Sequence, residues 1–275
     1  TLECQLTLEN GAVVTASVPS GTSRGEHEAK ELRDGGSRLM GQGVRKAADT
    51  LENIIGPELI GHTPNVITMD QHMCAMDGTD DKSRMGANTI LASSIAICKA
   101  QAYVENLTVY ELIAYLCEYE LVALPYPMFN VINGGLHATN NLAIQEFMIM
   151  PVGVSTFHAA MDVAFMVAHT LKKLLKENGY STAVGYEGGF APNMKDDIEA
   201  LNFITEAISM VDSSIEGTVM IAFDVAASHL YDPIQKKYLM QGKTFSTAEL
   251  ISWYGELAEK YPLYAIEDGV SEKDL

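Results

Sequence analysis

The chain has 275 residues, 47% of them hydrophobic, and its 36 acidic and 18 basic side chains give a formal net charge of -18. This length and apolar content can bury the core of one large domain or two ordinary ones. The acidic charge argues against a general nucleic-acid binder, because phosphate contacts need a basic surface. No stretch has the apolar length of a membrane span or the pattern of a secretory signal, and four cysteines without CxxC spacing indicate no disulfide framework. We therefore expect a globular protein of the reducing cytoplasm.

The first part of the chain predicts a small antiparallel sheet packed with helices. Two strand-like runs, 1–8 and 12–18, flank the hairpin signal Asn10-Gly11. A loop rich in small residues follows, and acidic residues from Glu26 predict a helix over 26–32. Helical spacing of apolar residues predicts four further helices, over 44–55, 67–76, 86–104 and 109–119.

Pro125-Tyr126-Pro127 breaks this pattern and predicts two domains, 1–122 and 123–275. Beyond the break, short apolar runs alternate with helices. Strands are predicted over 128–132, 143–150, 182–184, 219–225 and 263–266, helices over 156–176, 196–210 and 247–260, and a surface hairpin over 231–240. This alternation is typical of a (β/α) barrel, of which the chain holds about half the eight strands, so we expect both ends to be cut.

Carboxylates stand within or at the ends of these apolar runs. Glu187 precedes the flexible pair Gly188-Gly189, and Glu146, Asp224 and Glu267 stand on other runs. Glu187 alone could be a solvated turn residue. A carboxylate at the end of a buried strand is costly unless a cation partners it. The set therefore predicts an acidic site suited to a metal ion, on the C-terminal face of the partial barrel.

Nine motifs run in order along the whole chain, and together they resemble the enolase family, the phosphopyruvate hydratases. They are the segments 19–23, 27–29, 31–34, 81–88, 130–135 with His137, 145–148, 185–193, 223–228 and 265–269. The resemblance implies an α+β N-terminal capping domain followed by a partial enolase-type α/β TIM-like barrel. It also implies a homodimer, a glycolytic role, and reversible Mg²⁺-dependent dehydration of 2-phosphoglycerate to phosphoenolpyruvate.

The resemblance also assigns the metal ligands. Asp224 and Glu267 match two of the three carboxylates that hold a structural Mg²⁺, and Ser23 matches a lid serine that helps to bind a second one. Mg²⁺ prefers near-octahedral oxygen ligands, which carboxylates on adjacent strands can supply.

The remaining matched residues concern the substrate. Glu187 matches the acid that helps to expel the hydroxyl group, and Glu146 matches a catalytic carboxylate on the opposing strand. Gln145 and His137 match substrate-binding residues, and His137 stands in a loop that closes over the substrate in the family. Metal ions stabilise the doubly charged acid that forms when a proton is removed next to a carboxylate.

Departures from the family pattern keep two other interpretations open. Tyr186 replaces the usual Asp before Glu187, and Arg24 stands in the lid. The third metal carboxylate and the lysine base have no match in this chain, so we expect the chain alone to be inactive. The alternatives are a catalytically impaired scaffold or interaction protein, and another metal-dependent acid dehydratase of the same superfamily.

Overall fold

A computed structural model describes residues 1–21, 25, 27–120, 124–211 and 219–274. The chain divides into two compact units, Thr1–Val122 and Ala123–Leu275. Within the described residues, no helix is both long enough and apolar enough to cross a membrane.

The first unit is built on the predicted hairpin. Strand β1 (Leu2–Thr7) pairs antiparallel with β2 (Val13–Val18), and Leu2 faces Val18. Alternate residues of the hairpin are buried, because one face of the two strands packs on helix α4 (Ala87–Val104). Small residues of α4, among them Ala92 and Ala96, allow this close packing.

The helix predicted over 44–55 is formed by α1 (Arg45–Thr50) and a π-helical turn (Leu51–Ile55), and it continues as α2 (Gly56–Leu59), which was not predicted. The other predicted helices are α3 (Val66–Asp77) and α5 (Val109–Leu116), with small shifts at their ends.

The prediction of a helix over 26–32 was wrong, since the described residues from 27 onward form a turn and an irregular segment. Its backbone groups are used elsewhere: the Lys30 N–H donates to the Asp81 carbonyl at 2.7 Å, and the Leu32 N–H donates to Asn88 Oδ1 at 2.9 Å. Ser23 and Arg24 lie outside the described residues.

The second unit contains a four-stranded sheet in the order β3-β4-β5-β9, formed by β3 (Phe129–Asn133), β4 (Glu146–Pro151), β5 (Val219–Asp224) and β9 (Leu263–Glu267). The pairs β3–β4 and β4–β5 are antiparallel, and only β5–β9 is parallel. These described strands form an open sheet, as expected of a partial barrel. The strict β/α alternation does not hold at its start, because β4 directly follows β3 and two helices, α6 (Phe157–Glu177) and α7 (Asp197–Val211), precede β5.

The two faces of this sheet have different surroundings. Alternate residues such as Phe147, Ile149 and Phe223 belong to the large core that also contains buried residues of α6, α7 and α8 (Thr247–Lys260). The rings of Phe147 and Phe223 meet edge to face at 5.5 Å. Met148 and Ala222 form a smaller cluster of their own. Successive residues of a strand point to opposite faces of the sheet. Residues that lie two or four positions from Met148 or Ala222 in their strands therefore lie on the same face as these two residues.

Two predicted strand positions differ in the structure. Residues 182–184 form no regular strand, and Val184 makes only an isolated bridge to Phe190, because the 185–189 turn closes directly after it. β4 begins at Glu146 rather than at residue 143, because the N–H groups of Ala143 and Ile144 are bonded to a side chain and not to a neighbouring strand.

The predicted surface hairpin is a three-stranded sheet that connects β5 to α8. It consists of β6 (Tyr231–Asp232), β7 (Lys237–Met240) and β8 (Lys243–Phe245). Ser246 then caps α8 as predicted, in a capping box with Glu249.

Candidate active site

A row of polar residues crosses the four-stranded sheet at one end of its strands, which we call the active-site edge. In register, Asn133 at the end of β3 faces Glu146, Glu146 faces Asp224 at the end of β5, and Asp224 faces Glu267 at the end of β9. Glu146 reaches this edge although it begins its strand, because β4 runs antiparallel to both neighbours. Facing residues project to the same side of a sheet. Three carboxylates therefore meet on the face that carries Met148 and Ala222.

Hydrogen bonds fix the orientation of Asp224, the central member of the row. Its Oδ1 accepts the backbone N–H of Ala226 at 2.9 Å, and its Oδ2 accepts the side-chain amide of Gln145 at 3.1 Å. Gln145 is 4% exposed, so this contact lies inside the unit. Glu267 is exposed, because β9 is the open edge of the described sheet.

A second group of ligating atoms, from His137, Glu146 and Glu187, adjoins the row. His137 Nδ1 lies 3.4 Å from Glu146 Oε1 and 3.7 Å from Glu187 Oε2. One ligand atom from each residue lies within 4.8 Å of the others, so the three could hold a metal ion. The buried Nδ1 makes no well-oriented hydrogen bond among the described residues.

The turn that carries Glu187 is held against β3. The Gly185 N–H donates to the Gly189 carbonyl at 2.8 Å, and Asn130 Nδ2 donates to Glu187 Oε2 at 3.4 Å. A Cβ atom added at Gly189 would lie 2.6 Å from Asn133 Oδ1, so only glycine allows this approach. Tyr186, which precedes the catalytic candidate, is 80% exposed.

Negative charge is concentrated at this site. Burial, a hydrogen bond to Glu187 and the charges of Asp224 and Glu267 raise the pKa of Glu146 to about 8. Burial is also the main reason that the pKa values of Asp224 and Glu267 are raised, although hydrogen bonds from Ala226 and Gln145 oppose the change at Asp224. Among the described residues, the basic side chain that contacts these carboxylates is that of His137, which is charged only when it is protonated. Such an arrangement favours a bound cation.

The structure brings together six of the seven site residues predicted from the sequence, and the seventh, Ser23, lies outside the described part of the chain. Their roles stay predictions. Three polar residues that contact this region were not among the predicted ones: Asn130, Asn133 and Asp197. The two asparagines interrupt an apolar strand, which was a usable signal. Asp197 offered none, because an Asp at a helix start usually serves as a cap.

The fold and the site define an α+β unit followed in the chain by a unit whose open α/β sheet gathers carboxylates at the ends of its strands, a combination typical of a metal-dependent enzyme family. Comparison with protein families agrees. Residues 1–113 match the family description "Enolase, N-terminal domain", and residues 121–275 match "Enolase, C-terminal TIM barrel domain". The chain belongs to the enolase family, a family of lyases.

Proposed function

We propose that this protein is a glycolytic enolase that interconverts 2-phosphoglycerate and phosphoenolpyruvate with Mg²⁺. The observation that carries the proposal is the convergence of Glu146, Glu187 and His137 beside the paired carboxylates Asp224 and Glu267. The match to both enolase domains supports it. A cytoplasmic location and a homodimer belong to the same proposal and rest on the family resemblance.

The residues present fit a magnesium ion. Asp224 and Glu267 are neighbours on parallel strands and offer carboxylate oxygens, the ligands that Mg²⁺ prefers. Burial, and after it the neighbouring carboxylates, raises the pKa of both groups, and a bound cation would oppose both effects. When bound, Mg²⁺ supplies the positive charge that stabilises the doubly negative acid formed on loss of the α-proton. Ser23 is proposed as a ligand of a second ion, as in the lid that it matches.

Glu146 and Glu187 would supply the proton that the leaving hydroxyl group needs. Burial and the neighbouring carboxylates raise the pKa of Glu146 to about 8, so Glu146 is largely protonated at neutral pH. Glu187 is the more exposed of the two, with 40% of its side chain accessible against 14% for Glu146. Glu187 is therefore the member of the pair that a substrate reaches more easily, and we propose that it is the acid that donates a proton to the departing hydroxyl, which leaves as water.

His137 and Gln145 would orient the substrate and its carboxylate partners. His137 faces both glutamates and is 7% exposed, so its ring is confined. Gln145 holds Asp224 through its amide nitrogen, while its buried Oε1 makes no hydrogen bond among the described residues. Contact of that oxygen with a hydroxyl group of the substrate would require the side chains around it to move on binding.

The test is the formation of phosphoenolpyruvate from 2-phosphoglycerate by the protein made from its complete gene, followed by ultraviolet absorbance. We expect turnover with Mg²⁺ and none with a chelator. Glu187→Gln should lower kcat by about 10²–10⁴-fold, because a carboxamide is not an acid at neutral pH and cannot donate the proton. Glu177→Gln, which changes an exposed carboxylate of α6, should turn over like the parent.

Three results would contradict the proposal. Near-parent turnover of Glu187→Gln would remove that residue from the mechanism. No turnover of any acid would favour the scaffold interpretation, and faster turnover of a hydroxy acid without a phosphate would favour a different dehydratase.

A further inference from the structure

Two neighbouring aspartates at the N-terminus of helix α7, Asp196 and Asp197, accept hydrogen bonds from different parts of the chain. Asp196 Oδ1 accepts the N–H of Glu199 at 2.9 Å, which is the hydrogen bond of an N-terminal helix cap. Asp197 turns away from its own helix. Its Oδ1 accepts the backbone N–H groups of Ala143 at 2.9 Å and of Ile144 at 3.4 Å. The helix therefore has its cap without Asp197.

The residues that Asp197 holds lead directly into the candidate active site. Gln145 and Glu146 follow Ala143 and Ile144 in the chain. The carbonyl of Gln145 accepts the Gly134 N–H at 2.9 Å, and its amide donates to Asp224. This segment thus joins β3, β5 and α7, and Asp197 accepts its hydrogen bonds to the helix.

Asp197 is held at a cost that a purely packing residue would not have. It is 0% exposed, and its Oδ2 is buried without a hydrogen bond among the described residues. Burial raises the pKa of Asp197 to about 7, although the two backbone N–H groups oppose the change. The contact requires one acceptor atom, which a neutral side chain of the same shape can also supply.

We propose that Asp197 is a positioning residue that sets Gln145 and Glu146 at the active-site edge, by accepting the two N–H groups that precede them. The catalytic meaning of this role rests on the proposed enolase function, but the positioning itself does not. A shift of about 1 Å in a catalytic group can lower turnover by about 10²-fold.

The test compares Asp197→Leu, Asp197→Asn and Asp196→Ala in the 275-residue chain by carboxyl labelling with a carbodiimide and an amine, read by mass spectrometry. The readout is the labelling rate of Glu146 relative to Asp274, a hydrogen-bonded carboxylate of the same unit. Neither turnover nor bound metal is needed. A failure of the enolase proposal is therefore distinguishable from a failure of this one.

We expect Asp197→Leu to raise the relative labelling of Glu146 by about fivefold or more, because the released segment opens locally. Asp197→Asn should keep the relative labelling rate of Glu146 within about twofold of the parent, since Asn Oδ1 can accept the same N–H groups. Asp196→Ala should lower the melting temperature without changing the ratio. An unchanged ratio in Asp197→Leu, an equal rise at Glu146 and Asp274, or equal effects of Asn and Leu would overturn the proposal.

Discussion

The hydroxyl group of Tyr238 connects the surface hairpin to the segment that follows Glu267. Tyr238 is 0% exposed, its OH donates to Asp274 Oδ2 at 2.7 Å, and it accepts the N–H of Ser271 at 3.0 Å. Ser271 is 2% exposed, so no water can replace the lost partner easily. We therefore expect Tyr238→Phe to destabilise the second unit strongly.

The magnitude follows from the two bonds. Loss of a hydrogen bond to a charged acceptor costs about 1.5–3 kcal/mol, and a buried N–H left without a partner costs about 1–3 kcal/mol. Asp274 keeps its hydrogen bond from Thr247, so the two costs do not add in full. We expect a loss of about 2–4 kcal/mol in the free energy of unfolding.

Urea unfolding followed by tryptophan fluorescence measures this loss, because Trp253 is the only tryptophan of the chain and lies in α8 of the same unit. With a slope of about 2 kcal/mol per molar urea, the midpoint should fall by about 1–2 M. Tyr231→Phe is the matched control, since the Tyr231 ring packs on Tyr238 at 4.9 Å but its hydroxyl makes no hydrogen bond among the described residues. Equal midpoints for the two variants would refute the reasoning.

Two further predictions concern buried charge and close packing. The folded-state pKa of Asp197 is raised from 3.8 to about 7, so the contribution of this residue to stability is fully present below pH 3.8 and is lost as the pH rises through 7. Between pH 5 and 8 the parent should lose about 2 kcal/mol relative to Asp197→Asn, and parallel pH curves in urea unfolding would contradict this. Gly189→Ala places a Cβ atom 3.1 Å from the Ile132 nitrogen and should cost about 1–3 kcal/mol. Gly255→Ala, which has open space around it in α8, should instead stabilise by about 0.5–1 kcal/mol, and equal thermal shifts for the two glycine variants would contradict the packing argument.

Much of the secondary structure could be predicted from periodicity. The long helices α6 and α8 have clearly amphipathic sequences and begin and end within a few residues of the prediction. The segment from residue 27 onward could not be predicted, because residues 81–88, at and before the start of α4, supply its hydrogen bonds from a distant part of the chain. Local propensity is a weak guide where tertiary contacts take the backbone groups.

The features of the candidate site also divide into those that the sequence predicts and those that depend on the tertiary structure. The sequence by itself determined which carboxylates stand at the ends of apolar runs, and its motifs indicated the family, because both are written in residue order. Tertiary structure alone decided that β4 runs antiparallel, which brings Glu146 level with Asp224 and Glu267. It also decided that Asp197 leaves its own helix to hold Ala143. Strand direction and side-chain partners depend on residues that are far apart in the chain, and such contacts leave no local periodicity to read.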